Sequence, residues 1–372
     1  MSASPLSADQ ILAALKAVKD PDLHRDIVDL GFVKNLTIDG GKVSFDVELT
    51  TPACPVKEDL KKQCHEFVSQ LPGVESVNVT MTAQPVKAVG GKRTELLQKV
   101  RHVLAVASGK GGVGKSTATA NLALALAQTG AKVGVLDADI YGPSMNMMFA
   151  VKEAPVLDDK QKLHPVIVNG IKIVSMAMFA DDEKPVIWRG PMVSQMIQNF
   201  VHNVVWGELD YLLIDMPPGT GDVQLTLTQS APLSGGVIIT TPQDVSVLDA
   251  KKGLKMFQRV SVPVLGIVEN MSYFICDQCE KKHYIFREGG GRRIASSLGL
   301  PFLGEIPLES EVAVGGDLGQ PIVKRAPQSA SAHAYRDIAG GVAAQLSILT
   351  AATGDVLGDY EYTWEELPRV MA

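Results

Sequence analysis

Four cysteines in 372 residues are too few for a disulfide scaffold. In a chain of this size they fit a reducing cytoplasm, where a Cys-x-x-Cys pair signals metal or redox work. No uninterrupted apolar run reaches spanning length, so no transmembrane helix and no membrane partner are expected. The first ten residues are polar, contain Pro5, and lack a basic region followed by an apolar stretch, so no secretory leader is expected. Positive charge is not in excess either: the formal net charge of -6 argues against a general nucleic-acid binder. With 20% charged and 46% hydrophobic residues, the composition excludes disorder, and the length suffices for two domains with a sizeable core.

What the chain does have is a glycine loop. Gly109-Lys110-Gly111-Gly112-Val113-Gly114-Lys115-Ser116 fits G-x-x-x-x-G-K-[ST] without a mismatch. The apolar run from His102 to Ala107 before it suits a buried parallel strand, and the Ala- and Leu-rich stretch from Ser116 to Gln128 suits a helix. Glycines let successive N–H groups turn toward a phosphate that side chains would block, and the helix N-terminus adds free donors and partial positive charge. Lys115 is expected to reach the β- and γ-phosphates of ATP, with the Ser116 hydroxyl on Mg²⁺ and Thr117 completing the loop.

Two more strands end in acid. Lys132 to Leu136 leads into Asp137-Ala-Asp139-Ile-Tyr-Gly-Pro-Ser144, and Tyr211 to Asp215 leads into Met216-Pro-Pro-Gly-Thr-Gly-Asp222. Carboxylates at the C-terminal ends of parallel strands sit beside bound phosphates, and Asp215 has the pattern that holds Mg²⁺ through water. Gly219 and Gly221 would let the backbone approach the γ-phosphate. Further strands are expected over Gly236–Thr241 and Val264–Val268, with helices over Val245–Arg259 and Ser331–Leu349. The alternation predicts an α/β domain with a mostly parallel, doubly wound sheet.

After Glu269-Asn270-Met271 comes a Cys-x-x-Cys pair, Cys276 and Cys279, with His283 four residues on. Both thiolates can point at one metal centre, but four ligands are needed and the chain has no second such pair. Two-fold symmetry would supply the missing pair, giving a Cys₄ site shared by two subunits. Zinc and an iron–sulfur cluster both accept Cys₄, and His283 is either a third ligand or a solvated histidine. Tyr273, Phe274 and Ile275 would shield such a site from water.

Residues 1–82 read as a small α+β domain: a helical stripe over Ser7–Val18, paired strands over Val33–Ile38 and Val43–Leu49 around an Asp39-Gly40-Gly41 turn, a helix over Pro55–Gln70, and a strand over Val74–Met81. Cys64 lies inside that helix as core, whereas Cys54, at the helix N-terminus, is expected to have a lowered thiol pKa; a metal ligand or nucleophile and a buried small residue are equally open readings. Residues 83–98 form a linker, 99–353 the large domain, and 354–372 an acidic tail with Tyr360, Tyr362 and Trp364.

Lys110 adds a second lysine early in the loop, and Lys110-Gly-Gly-Val-Gly-Lys-Ser-Thr117 resembles the deviant Walker A motif of the MinD/ParA/nitrogenase-iron-protein superfamily. The resemblance implies that Lys110 reaches across a homodimer to the partner's nucleotide; the plain alternative is a solvated lysine. Asp20-Pro21-Asp22, Asp29-Leu30-Gly31 and Thr50-Thr51-Pro52-Ala53-Cys54-Pro55 resemble the MIP18-like domain of iron–sulfur assembly proteins. Taken together, the motifs resemble the Mrp/ApbC/NBP35 family of iron–sulfur carrier ATPases over nearly the whole chain. That resemblance implies a weakly ATP-hydrolysing homodimer that carries a labile [4Fe–4S] cluster on Cys276 and Cys279 and passes it to apo iron–sulfur proteins, working with assembly factors. It also implies that Asp139 positions the attacking water or the Mg²⁺ shell, that Asp137 supports it, that Asn270 meets the adenine, and that Pro307–Gly316 is the other base-flanking loop.

Three other readings compete. A ParA/MinD-like switch would need a basic patch or a basic amphipathic C-terminal helix, and the tail is acidic. A nitrogenase-like electron donor would take its cysteines from separate loops. A zinc-bridged regulatory ATPase dimer stays open.

Overall fold

The computed structural model describes residues 6–51, 54, 56–83, 97–140, 142–179, 196, 199–200, 203–219 and 221–354. The expected linker lies outside the described residues apart from its two ends, as does the acidic tail beyond Gly354. The chain divides into two compact units, one formed by the N-terminal elements with the last turns of the final helix from Ala343, the other by the large domain.

In the first unit Ser7 caps the helix Ala8–Leu15 and Gln10 bonds back to it, a capping box that leaves Ile11 and Leu15 facing the core. Strands β1 (Val33–Asp39) and β2 (Lys42–Leu49) form a hairpin through Gly40, whose φ of +58° favours glycine. On β2, Val43, Phe45, Val47 and Leu49 are all buried, as the alternation predicts. The helix Lys57–Ser69 then crosses over and buries Leu60, Cys64 and Val68, so that β3 (Ser76–Ala83) pairs with β2 in parallel. Cys64 is core, as expected.

The large unit is built on β4 (Val100–Ser108), β5 (Val133–Asp137), the short hairpin β6 (Val156–Leu157) and β7 (Leu163–His164), β8 (Val166–Val168), β9 (Ile171–Ser175), β10 (Leu209–Asp215), β11 (Gly235–Thr240), β12 (Val264–Glu269), a second short hairpin β13 (Phe274–Ile275) and β14 (Lys282–His283), and β15 (Phe302–Glu305). Its main sheet runs β15-β12-β11-β4-β10-β5-β9-β8 and is parallel except for β8 against β9. Strands β5, β11 and β12 are buried along their whole length and β10 everywhere but at Asp210, because helices cover both faces of a parallel sheet. From β4 the chain winds outward both ways, which places a crevice at the C-terminal end of that strand. The expected strands and helices all form, with ends displaced by a few residues. The exception is Pro307–Gly316: residues 307–309 stay a loop, but from Ser310 on the chain is the helix Ser310–Asp317, because the polar Glu309-Ser310-Glu311 stretch starts a helix rather than a turn.

Candidate nucleotide and metal sites

The glycine loop leaves β4 and enters the helix Lys115–Gln128, whose cap is Gly114. Gly112 and Gly114 both have φ of +79°, the left-handed region where a side chain is strained. Gly109 is glycine for another reason: a Cβ there would lie 2.0 Å from the backbone carbonyl carbon of Asp249, on the helix Asp244–Arg259. Gly111 and Lys110 are exposed on the outer arm of the loop, and Val113 is buried beneath it. Thr117 follows in the first turn of the helix, where its carbonyl accepts from Asn121.

Lys115 is buried, at 6% exposed. Its Nζ lies 2.7 Å from Asp215 Oδ2 and 3.9 Å from Asp139 Oδ2. Ser116 Oγ donates to the same Asp215 oxygen at 2.6 Å, and Thr119 Oγ1 donates to Oδ1 at 2.7 Å. A buried charge needs such pairing, because desolvation otherwise costs several kcal/mol per ion. Hydroxyl and carboxylate oxygens are hard donors of the kind Mg²⁺ takes. The donor set of Ser116, Asp215 and Asp139 therefore fits that ion.

Register explains why the acids meet. Asp215 pairs with Asp137, and Asp137 with Ser175, at the C-terminal ends of β10, β5 and β9. Asp137 is fully buried and faces inward: its Oδ2 accepts from the Ser144 and Met145 N–H groups at 3.0 and 3.1 Å and from Ser175 Oγ at 2.9 Å. Its other oxygen accepts the Asp139 N–H at 3.2 Å. Asp137 thus holds the loop that presents Asp139, whose Oδ1 accepts the Gly142 N–H. Burial first, and then the Asp215 carboxylate, push Asp137 above the usual carboxylate range.

Beyond Asp215, the Met216 N–H donates to Val106 and the Gly219 N–H to Ser108, so this segment lies along the end of β4. Gly219 is left-handed at φ +97°, whereas Gly221 is ordinary extended backbone opening the helix Asp222–Ser230. Thr220 lies outside the described residues. Asn270 is buried, and its Nδ2 donates to the Val113 carbonyl at 2.8 Å. A Cβ on Gly114 would sit 2.2 Å from that nitrogen.

Strands β13 and β14 carry the cysteine pair, with Phe274 opposite His283 and Ile275 opposite Lys282. The Cys276 N–H donates to Lys281, and the Glu280 N–H donates back to Cys276, with Glu280 left-handed at φ +56°. This tight knuckle brings one ligand atom each of Cys276, Cys279 and His283 within 4.8 Å of one another. The Gln278 and Cys279 N–H groups, aimed at the Cys276 sulfur, hold its thiol below the ordinary value. The expected shielding does not form within one chain: Tyr273, Phe274 and Ile275 are only half-buried and residues 277–285 are exposed, because a two-residue ladder cannot fold over its own tip.

Cys54 also departs from expectation. Its thiol is pushed up to about 11, not lowered, because burial outweighs the single Val56 N–H, and Asp20 and Asp22 add negative charge. The helix begins only at Lys57, too far on to act strongly on it.

Three residues around the nucleotide site escape motif reading. Thr119, one turn after Lys115, was legible from its spacing. Ser175 carries no local signal, because only the register of β9 brings it to Asp137. Gln224, fully buried, ties its helix to the Pro217 carbonyl.

Comparison with known proteins agrees with this architecture. Residues 99–343 match the family described as NUBPL iron-transfer P-loop NTPase, and residues 8–81 match a family described as iron–sulfur cluster assembly protein. The chain is 49% identical to the iron-sulfur cluster carrier protein of Synechocystis sp., covering 92% of this chain and 99% of that one. It is 44% identical to the chloroplastic Fe-S cluster assembly factor HCF101 of Arabidopsis thaliana, covering 95% of this chain and 68% of that one. Among solved structures, a nucleotide-binding protein of Archaeoglobus fulgidus in complex with ADP aligns with a TM-score of 0.55 at 43% identity, covering 61% of this chain and 89% of that one. No helix among the described residues is long and apolar enough to cross a membrane. Fold, loop and matched span lead to one assignment: the chain belongs to the iron-transfer P-loop NTPase family.

Proposed function

We propose that the protein is an ATP-dependent iron–sulfur cluster carrier, with the cluster as cargo held by Cys276 and Cys279 of two copies and handed to apoproteins. The observation that carries this reading is the exposed knuckle, where two thiols converge with no further cysteine beside them among the described residues. Two chains supply the four thiolates a [4Fe–4S] cluster takes. An open, shared site also suits release to an acceptor. The names of the relatives point the same way. In the nucleotide site, Lys115 neutralises the β- and γ-phosphates, Ser116 and Asp215 hold Mg²⁺, and Asn270 borders the base. Asp139 orients the attacking water, and Lys110, exposed at the loop's rim, acts on the partner's nucleotide. When bound, Mg²⁺ offsets charge on the phosphates.

Anaerobic reconstitution followed by metal analysis and an absorption spectrum tests the proposal. About four irons per dimer are expected, by the ligand count. Cys276→Ser and Cys279→Ser are expected to lose the iron and keep ATP binding. Full iron in the double variant would overturn the site.

One observation favours a second reading: His283 reaches both thiols. A three-ligand zinc site in each chain would use it. Stoichiometric zinc without visible absorbance, lost on His283→Ala, would select that reading.

A further inference from the structure

A single buried carboxylate holds both ends of the segment that carries the cysteines. Glu269, the last residue of β12, is completely buried. Its Oε1 accepts from Ser272 Oγ at 2.6 Å, where the chain leaves the sheet toward the knuckle. Its Oε2 accepts from the Gly291 N–H, where the chain returns as the helix Gly290–Ser297. The return is glycine because it is crowded: a Cβ on Gly290 would lie 2.4 Å from the Pro242 carbonyl oxygen, and one on Gly291 3.1 Å from Glu269 Cβ. The exposed run 277–285, with Cys279 and His283 in it, lies between these two ties. The next residue after Glu269 is Asn270, whose amide grips the Val113 carbonyl of the phosphate loop. Ser272 N–H and Ile306 N–H further stitch this turn to β15's continuation, at 2.9 and 2.8 Å.

We infer that Glu269 is a positioning residue that transmits nucleotide state from the phosphate loop to the cysteine pair. Movement of Val113 shifts Asn270, and Asn270 is rigidly joined to the carboxylate that sets both roots of the knuckle. A two-residue ladder has little stiffness of its own, so its orientation follows its roots. This inference rests on the proposed coupling between nucleotide and cargo.

The test follows modification of Cys276 and Cys279 by N-ethylmaleimide, read peptide by peptide, in full-length apo protein with and without a non-hydrolysable Mg–ATP analogue. Wild-type protein is expected to show different rates in the two states. Ser272→Ala removes one tie and should shrink that difference; Glu269→Ala removes both and should abolish it. Glu269→Gln should keep it, because the amide oxygen accepts from Gly291 while its NH₂ donates to the Ser272 hydroxyl. Thermal stabilisation by the analogue should persist in all three, showing that nucleotide still binds. Should Glu269→Ala fail to fold, Ser272→Ala decides. A full wild-type difference in Ser272→Ala and Glu269→Ala overturns the inference alone. So does a difference lost only together with nucleotide-induced stabilisation, which would mark a merely structural role. No nucleotide effect in wild-type protein overturns the coupling itself, and the inference with it.

Discussion

Lys115 makes its closest contact with the Asp215 oxygen that also binds Ser116, so the site already balances the charge that Mg-ATP would reorganise. Lys115→Ala leaves Asp215 without its cation and removes the phosphate contact. Hydrogen bonds to charged groups contribute about 1.5–3 kcal/mol each, so ATP affinity by calorimetry should fall at least about tenfold. Asp139→Ala should keep affinity and lose turnover by roughly 10²-fold or more, since a group that orients water acts in the transition state. Cys54 gives a titration with a clear sign. Its thiol is raised to about 11, so thiolate appears only as pH climbs toward that value. Alkylation of Cys54 should stay slow at neutral pH and accelerate in strong alkali, well after the exposed Cys279 has reacted. Fast neutral alkylation of Cys54 would contradict its burial.

At the scale of elements, the loop depends on what it is pressed against. Gly112 and Gly114 are required by their own backbone angles, but Gly109 is required by the helix Asp244–Arg259. Gly109→Ala must push that helix or the loop aside. Overpacking of this kind costs on the order of 1–3 kcal/mol. The variant should melt at lower temperature and bind ATP more weakly, whereas alanine at exposed Gly111, with open space around its Cβ, should be milder. Equal midpoints for the two variants would refute the close approach. The glycine pattern shows the loop type directly, but its contact with Asp249 was not legible, because the partner lies far along the chain.

For the whole molecule, Lys110 is exposed beside the paired Lys115 and makes no side-chain ion pair among the described residues. Lys110→Ala should lower hydrolysis more than binding if it acts on the partner's transition-state charge. Equal loss in both measurements would make it an ordinary phosphate-loop lysine. The family, the α/β class and the three acid-tipped or glycine-tipped strand ends could all be read in advance. Each is encoded by residues adjacent in sequence.

The phosphate loop, the acids at Asp137 and Asp215 and the cysteine spacing are written in the order of residues alone, since glycine freedom, strand periodicity and ligand spacing are local properties. What those groups experience comes from the packed fold. It set Ser175 against Asp137 through strand register. It buried Cys54 enough to reverse its expected titration. It left Cys279 exposed within one chain and brought His283 within 4.8 Å of both thiols. It closed both roots of that knuckle on Glu269. Burial and register depend on residues far apart in the chain, and no local pattern carries them.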